Sequence, residues 1–504
     1  MVKIITKLKN LNILQLIIIA SLCLVGLFNE YLSCIVSIAL VVLLLKELKK
    51  ENWNFKFKVN LTSVTIILIV TLYGFSSIWA VDSGMAILGF IKYLPSLLFI
   101  FLLNQKDYSS DDLLEVIPGT MTVMTVVAAI LMQFDIFEKY FSVAGRISGF
   151  LQYSNTYALL ALIALIVEAT REKLTKIQII NVPILIFGII YSGSRTVFVL
   201  TALVVLALVV VLKNKRIKFS LLGIFVIVIV GAVIYATVTG KFYSIGRFLT
   251  ISLTESTFVG RFLYWQDAFK LIIRHPFGTG YMGFYYLQQT VQTGVYSIRY
   301  VHNDFLQLML DIGWIPAVLL VVCIAKAFFK KGNSIRNRLI LFSIFAHSNF
   351  DFDLQFVAVF MLLIALLYPN EGKEYVLRKK GIISIIGILL VIVNIYFGLA
   401  LTLSHFNAKN ISAKIYPYNT EDNIYLLTQI SNAFDMDKFA DKLLKQNEYL
   451  TVAYDAKALY AYAKGNIDVM VKYKDKAITY SPFLYEEYYD YCEKCKDKAK
   501  EYYL

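Results

Sequence analysis

Apolar runs of bilayer-crossing length recur from near the start of this chain to about residue 402, and they restrict the fold more than any other feature. A hydrocarbon core about 30 Å thick is crossed by ~20 apolar helical residues, whereas a membrane strand needs only about half as many. In lipid the backbone must satisfy its own hydrogen bonds, so runs of this length have to be helices. Only 17% of the 504 residues are charged and 58% are hydrophobic, against about 25% charged in a soluble domain. The expected fold class is an all-α polytopic membrane protein of about 12–13 transmembrane helices.

The runs lie near residues 11–28, 31–45, 61–79, 84–103, 113–134, 153–167, 177–191, 196–212, 219–238, 307–329, 339–346, 354–368 and 382–402. The first has a basic flank and no small-residue cleavage site, so it reads as a retained helix. Two domains are expected: a transmembrane domain over 1–402, with a large external loop at 240–305, and an extracytoplasmic helical domain over 403–504. In the latter, Gly465, Ala477 and Pro482 stand where a TPR-like helical hairpin would turn, pack and end.

The net charge of +14 has a topological explanation. With a cytoplasmic N-terminus and strict alternation, the basic loops at 46–58, 171–176, 213–218, 330–338 and 371–380 all fall inside, as the positive-inside bias demands. No basic stripe with interleaved stacking aromatics accompanies them, so no nucleic-acid partner is expected. The expected location is the cytoplasmic (inner) membrane. The same alternation puts Arg146, Arg195, Arg247, Arg261, His302 and His347 on the outer face.

Outer arginines run against the topology bias. A planar, permanently charged guanidinium at the membrane surface suits a diphosphate, or it snorkels to lipid headgroups. Arg195 closes a span between small residues, and a diphosphate role is the better reading there. His302 precedes an amphipathic helix that Asn303 can cap, and a histidine near neutrality can accept a proton from an attacking hydroxyl. His347 stands beside Asp351 and Asp353; sugar binding is one reading, and the set is weak as a metal site. Gly278, Gly280 and Gly283 follow no strand and open no βαβ unit, so a tight backbone bend is preferred to a nucleotide cradle. Cys23, Cys34 and Cys323 read as small core residues, and Cys492 with Cys495 as an incidental pair. Arg274 and Arg299 read as solvated or lipid-facing, and no metal or cofactor is expected.

The ordered set GRISGFLQYSN (145–155), SGSR (192–195), RFLYWQDA with HPFGTG (261–280) and HNDFLQ ending in Gly313 resembles the O-antigen ligase/polymerase family over roughly residues 60–370. That family includes O-antigen ligases, Wzy-type polysaccharide polymerases and protein O-oligosaccharyltransferases. The resemblance implies a glycan donor on undecaprenyl diphosphate and a glycan, lipid or protein acceptor, joined without metal or nucleotide sugar. It implies His302 as the essential histidine and Arg195 and Arg261 as diphosphate contacts. Arg146, Arg247, Asn303, His347 and Asp351 are expected to bind substrate, and Asp304 departs from the family pattern. The alternatives are a transporter of lipid-linked glycan, which would favour broken helices and ionisable groups at mid-membrane, and a non-catalytic scaffold.

Overall fold

The computed structural model describes residues 11–105, 108–171, 176–211, 256–368 and 371–485, with positions 223, 226, 230, 234, 237 and 493 in addition. Arg247, Cys492, Cys495 and the basic block at 213–218 lie outside the described residues.

The described chain is helical almost throughout. Helices α1 (Ile13–Cys23) and α2 (Glu30–Lys50) form the expected hairpin around Asn29. Next come α3 (Leu61–Phe75), α4 (Ser83–Asn104, with Pro95 inside it), α5 (Ile117–Leu131), α6 (Ser154–Ala169), α7 (Lys176–Ser192) and α8 (Arg195–Val211). Among the described residues, five helices are long and apolar enough to cross a membrane, and six shorter ones of 10–17 residues are also apolar. The shorter ones include the centre of the bundle. Every residue of α6 except Asn155 is buried, which is why its sequence is apolar on all sides rather than along one stripe.

Two expectations about the spans are corrected. The run 307–329 is not one helix: α10 (Asp304–Ile312) and α11 (Trp314–Phe329) meet at Gly313, whose φ is 92°. The loop after α9 (Ser256–Arg274) fills the break. Thr279 N donates to Leu310 O at 2.6 Å and Gly280 N to Asp311 O at 3.0 Å, so carbonyls at the end of α10 are satisfied by the loop. A Cβ on Gly278 would lie 2.5 Å from Asp311 O, and one on Gly313 2.8 Å from Pro276 O. The glycines of HPFGTG therefore serve close backbone approach, and the N–H groups of Gly278, Thr279, Gly280 and Gly283 are all spent on protein carbonyls. Gly313→Ala should cost at least about 1–3 kcal/mol, read as a lowered thermal midpoint of the detergent-purified protein. The other correction concerns Cys23, which is exposed, whereas Cys34 and Cys323 are buried as expected.

Among the described residues, the basic loops around 46–58, 330–338 and 371–380 gather on one side. Strand β1 (Phe55–Val59) pairs antiparallel with β4 (Lys373–Leu377), Phe55 opposite Leu377. Nearby, Lys330 reaches Glu371 at 2.8 Å and Arg336 reaches Glu115 at 3.2 Å. The opposite end carries the short ladder β2 (Ser142–Val143) with β3 (Arg146–Ile147), and α12 (Ile335–Ser348) and α13 (Val357–Leu367) meet there through the 349–356 loop. Helix α14 (Lys380–His405) leads into the C-terminal helices α15 (Lys409–Ile415), α16 (Thr420–Gln429), α17 (Ala433–Gln446), α18 (Thr451–Ala463) and α19 (Ile467–Tyr480).

These last helices are fastened to the bundle rather than tethered to it. Asp82, fully buried at the N-cap of α4, accepts from Thr420 Oγ1, from Asn447 Nδ2 at 3.3 Å and from Gln446 Nε2 at 3.3 Å. Tyr416 donates to Gly84 O at 2.7 Å. Leu427, Ala440, Leu443 and Ala453 belong to the same continuous apolar core as the membrane helices. Asp82→Ala leaves several buried donors unpaired, each costing ~1–3 kcal/mol. Limited proteolysis should then cut between residues 403 and 432 faster than in the wild type.

Candidate functional site

Three separate stretches converge at the end of the bundle away from the basic loops. The first is the hairpin and turn before α6. The Arg146 side chain leaves β3 and donates through Nε to Ser192 O at 2.5 Å and through Nη2 to Asn155 Oδ1 at 2.5 Å. This ties the Ser192–Arg195 turn between α7 and α8 to the start of α6. Gly193, with φ 59°, makes the turn, and Arg195 begins α8 three residues after the carbonyl that Arg146 holds.

The second stretch is the 349–356 loop, which delivers Asp351. Its carboxylate is 1% exposed yet completely engaged. Oδ1 accepts from Tyr153 OH at 2.7 Å, and Oδ2 accepts from Asn155 Nδ2 at 2.7 Å. Arg261 Nη2 stands 3.5 Å from Oδ2, and His302 Nδ1 stands 3.4 Å from Oδ1. Burial by itself pushes the Asp351 carboxyl up. The hydrogen bond and charge of His302, then Arg261 and His347, outweigh it and hold the group well below the usual carboxylate range. Asp351 is therefore a fixed negative charge.

The third stretch is the large loop, from α9 to the start of α10. Arg261, Tyr264 and Trp265 share one face of α9 because they are three and four residues apart. Trp265 Nε1 donates to His302 O at 3.4 Å, and the Tyr264 ring lies 6.2 Å from the imidazole. His302 itself has φ 53°, the left-handed region that a non-glycine residue adopts at a cost. Neighbouring bonds hold it there. Val301 N donates to Gln307 Oε1 at 3.0 Å, and Asn303 caps α10 by accepting from Phe305 N and Leu306 N at 3.0 Å. Asn303 Nδ2 also donates to Asn349 O at 3.0 Å, locking the large loop to the 349–356 loop. The His302 side chain is 24% exposed while Nδ1 is buried, so the edge carrying Nε2 is the one that faces out.

The residues singled out from the sequence thus divide. Arg146, Arg261, His302 and Asp351 belong to one network that runs from Ser192 O through Asn155 to the imidazole, and Arg195 begins α8 just after the turn which that network holds. Asn303 is a cap, 7% exposed. His347 was expected to reach substrate, but its side chain is fully buried: Nδ1 lies 2.5 Å from Asp353 Oδ2, and Asp353 also accepts from Thr156 Oγ1 at 2.7 Å. It sits beneath the site because the last turn of α12 points it toward α6. Among the described residues no group of three or more metal-ligating side chains forms; the HSNFDFD run is split, His347 and Asp353 inward and Asp351 toward His302.

Sequence reasoning gave no role to Tyr153 or Asn155, although Asn155 closes the first motif. It is the amide that joins Arg146 to Asp351. Lys92 was also passed over. It is fully buried in α4, donating to Tyr281 OH at 3.3 Å and Tyr300 OH at 3.2 Å. A lysine inside an apolar run is a readable signal in its own right. Arg299, expected to be solvated or lipid-facing, instead lies 3.2 Å from Glu421 Oε1 and 4.0 Å from Glu30 Oε1.

Residues 180–321 match the family model described as O-Antigen ligase. The matched stretch runs from α7 to α11 and contains Arg195, Arg261, His302 and Asn303; Arg146 and Asp351, which complete the network, fall outside it. No curated protein matches the chain. With its apolar helices and the polar network that the matched stretch feeds, this is a membrane protein whose residues 180–321 are similar to the O-antigen ligase family.

Proposed function

We propose that the protein transfers a glycan from a lipid diphosphate, of the undecaprenyl type, to an acceptor hydroxyl on the outer face of the cytoplasmic membrane. The observation that carries this reading is the placement of His302: its inner nitrogen faces a buried carboxylate that Arg261 also approaches, while its outer edge is open.

In that reading the acceptor hydroxyl approaches Nε2 of His302. Its oxygen attacks the anomeric carbon of the donor sugar, its proton passes to Nε2, and the bond from that carbon to the diphosphate oxygen breaks. The electron pair leaves with the diphosphate. Asp351 stabilises the imidazolium as it forms and keeps Nδ1 turned inward, as a buried carboxylate does for a catalytic histidine. Arg261 and Arg195 stabilise the charge growing on the leaving group, which exceeds that of the bound donor, so their effect falls on the transition state. Arg146 already spends two donors on the protein and holds the Arg195 turn in place. No step calls for a metal.

The test is a reconstitution. Purified protein in liposomes is given lipid-linked glycan extracted from the producing cells. Glycan should move to acceptor with release of the lipid diphosphate, at a rate unchanged by EDTA. Equal counter-movement of intact lipid-linked glycan across the bilayer, without release of the lipid diphosphate, would instead mark a transporter. The helix break at Gly313 and the buried Lys92 inside α4 are features that favour that second reading.

A further inference from the structure

A second chamber lies beside the site, and the chemistry assigned above does not use it. It encloses about 340 Å³ between the α1–α2 turn, the end of the large loop and the first residues after α14. That is the small end of the roughly 300–1,000 Å³ range of ligand pockets. Three aromatic side chains line it: Phe28, Tyr31 and Tyr300. Its polar lining is balanced in charge, with Glu30 and Glu421 against Arg299 and Lys409.

Among the described residues, two polar groups there have no hydrogen-bond partner. Asn29 is the N-cap of α2 but makes no capping hydrogen bond. The Arg299 Nε is buried and unpaired although both terminal nitrogens have acidic neighbours. Beneath the rings, Lys92 donates to Tyr300 OH and Tyr281 OH, and Tyr281 OH donates to Glu30 Oε1 at 2.5 Å. The wall is therefore rigid. The chamber wall also lies close to the imidazole through ring contacts: the Tyr300 and Phe352 rings are 5.3 Å apart, and the Phe352 and His302 rings 5.0 Å.

Resting on the proposed glycan transfer, we infer that this chamber binds an uncharged sugar of the acceptor, next to the one whose hydroxyl reacts at His302. A sugar ring offers an apolar face of C–H groups to aromatic rings and an equator of hydroxyls that donate and accept. The chamber supplies matching rings, carboxylates, an unpaired amide and an unpaired guanidinium N–H. A diphosphate fits poorly, because Glu30 and Glu421 already neutralise Arg299 and would repel it. The position also fits: Phe352 packs between Tyr300, on the chamber wall, and the His302 imidazole, so a single aromatic side chain separates the chamber from the base.

The probe is the mixture of oligosaccharides released by mild acid from the surface polysaccharide of the producing cells, titrated calorimetrically into the detergent-purified full chain. Asn29→Leu and Glu421→Gln should each weaken binding at least tenfold, with unchanged gel-filtration elution. Asn29→Leu touches no contact of the C-terminal helices, so it stands if Glu421→Gln loosens them. His302→Ala should bind as the wild type does. Wild-type affinity in both chamber variants overturns the inference. So does the absence of any binding by the wild type while His302→Ala still abolishes the surface glycan, a result that leaves glycan transfer itself intact. If His302→Ala leaves the surface glycan unchanged, it is the transfer reading that fails, and the inference with it.

Discussion

His302→Ala should lower glycan transfer by about 10²–10⁴-fold, the usual contribution of a positioned general base, while the protein accumulates and purifies normally. The ring is a quarter exposed and the backbone turn is held by Trp265, Gln307 and Asn303 independently of the imidazole, so truncation removes the ring without undoing the turn. In cells, lipid-linked glycan should build up as surface glycan disappears. Both levels unchanged, with the variant present in the membrane, would mean that the imidazole takes no proton in the reaction. Because φ at residue 302 is positive, His302→Asn is a useful companion. Asparagine tolerates that backbone, so its loss of activity cannot be ascribed to refolding of the turn.

The second large effect is expected at Asp351, where stability and activity separate. Asp351→Ala leaves Tyr153, Asn155 and Arg261 facing a void. Breaking one side of a buried charge pair costs about 3–5 kcal/mol, so the thermal midpoint should fall clearly. Asp351→Asn keeps the volume and one acceptor oxygen and should lose much less stability. It should still lower kcat by at least about tenfold, because the imidazolium has lost its counter-charge, while KM for the lipid donor holds. The double variant Asp351→Asn/His302→Ala should be no slower than His302→Ala alone, since residues that act as a unit are not additive. Additive losses would show that Asp351 acts apart from His302. The depressed pKa of Asp351 also sets a sign. Its stabilisation is complete above the unfolded value of about 3.9 and is lost only as pH falls through the lower folded value. Changes in activity near neutral pH therefore do not come from this carboxylate.

Much of the site was legible because its chemistry is rare in such a chain. Arginines and a histidine between apolar spans stand out against their background, and the loop charges fix which ends share a side. Arg195, Arg261 and His302 were singled out in this way. Asn155 was not, since one amide at the start of an apolar run resembles any helix start; its role depends on Arg146 and Asp351, 9 and 196 residues away in sequence. His347 was misread for the converse reason: sequence shows that a histidine lies at a span end but not which way the last turn of the helix points it.

The sequence by itself determined the class of molecule, an all-helical membrane protein, because bilayer thickness and backbone hydrogen bonding leave helices as the only reading of such runs. It also determined the grouping of basic loops, which is additive along the chain. The tertiary structure alone decided the helix break at Gly313, the docking of the C-terminal helices on Asp82 and the convergence on Asp351. Each of these depends on groups far apart in sequence satisfying one another in the interior. A buried carboxylate is tolerated only where several donors meet it, and periodicity along the chain carries no record of that meeting.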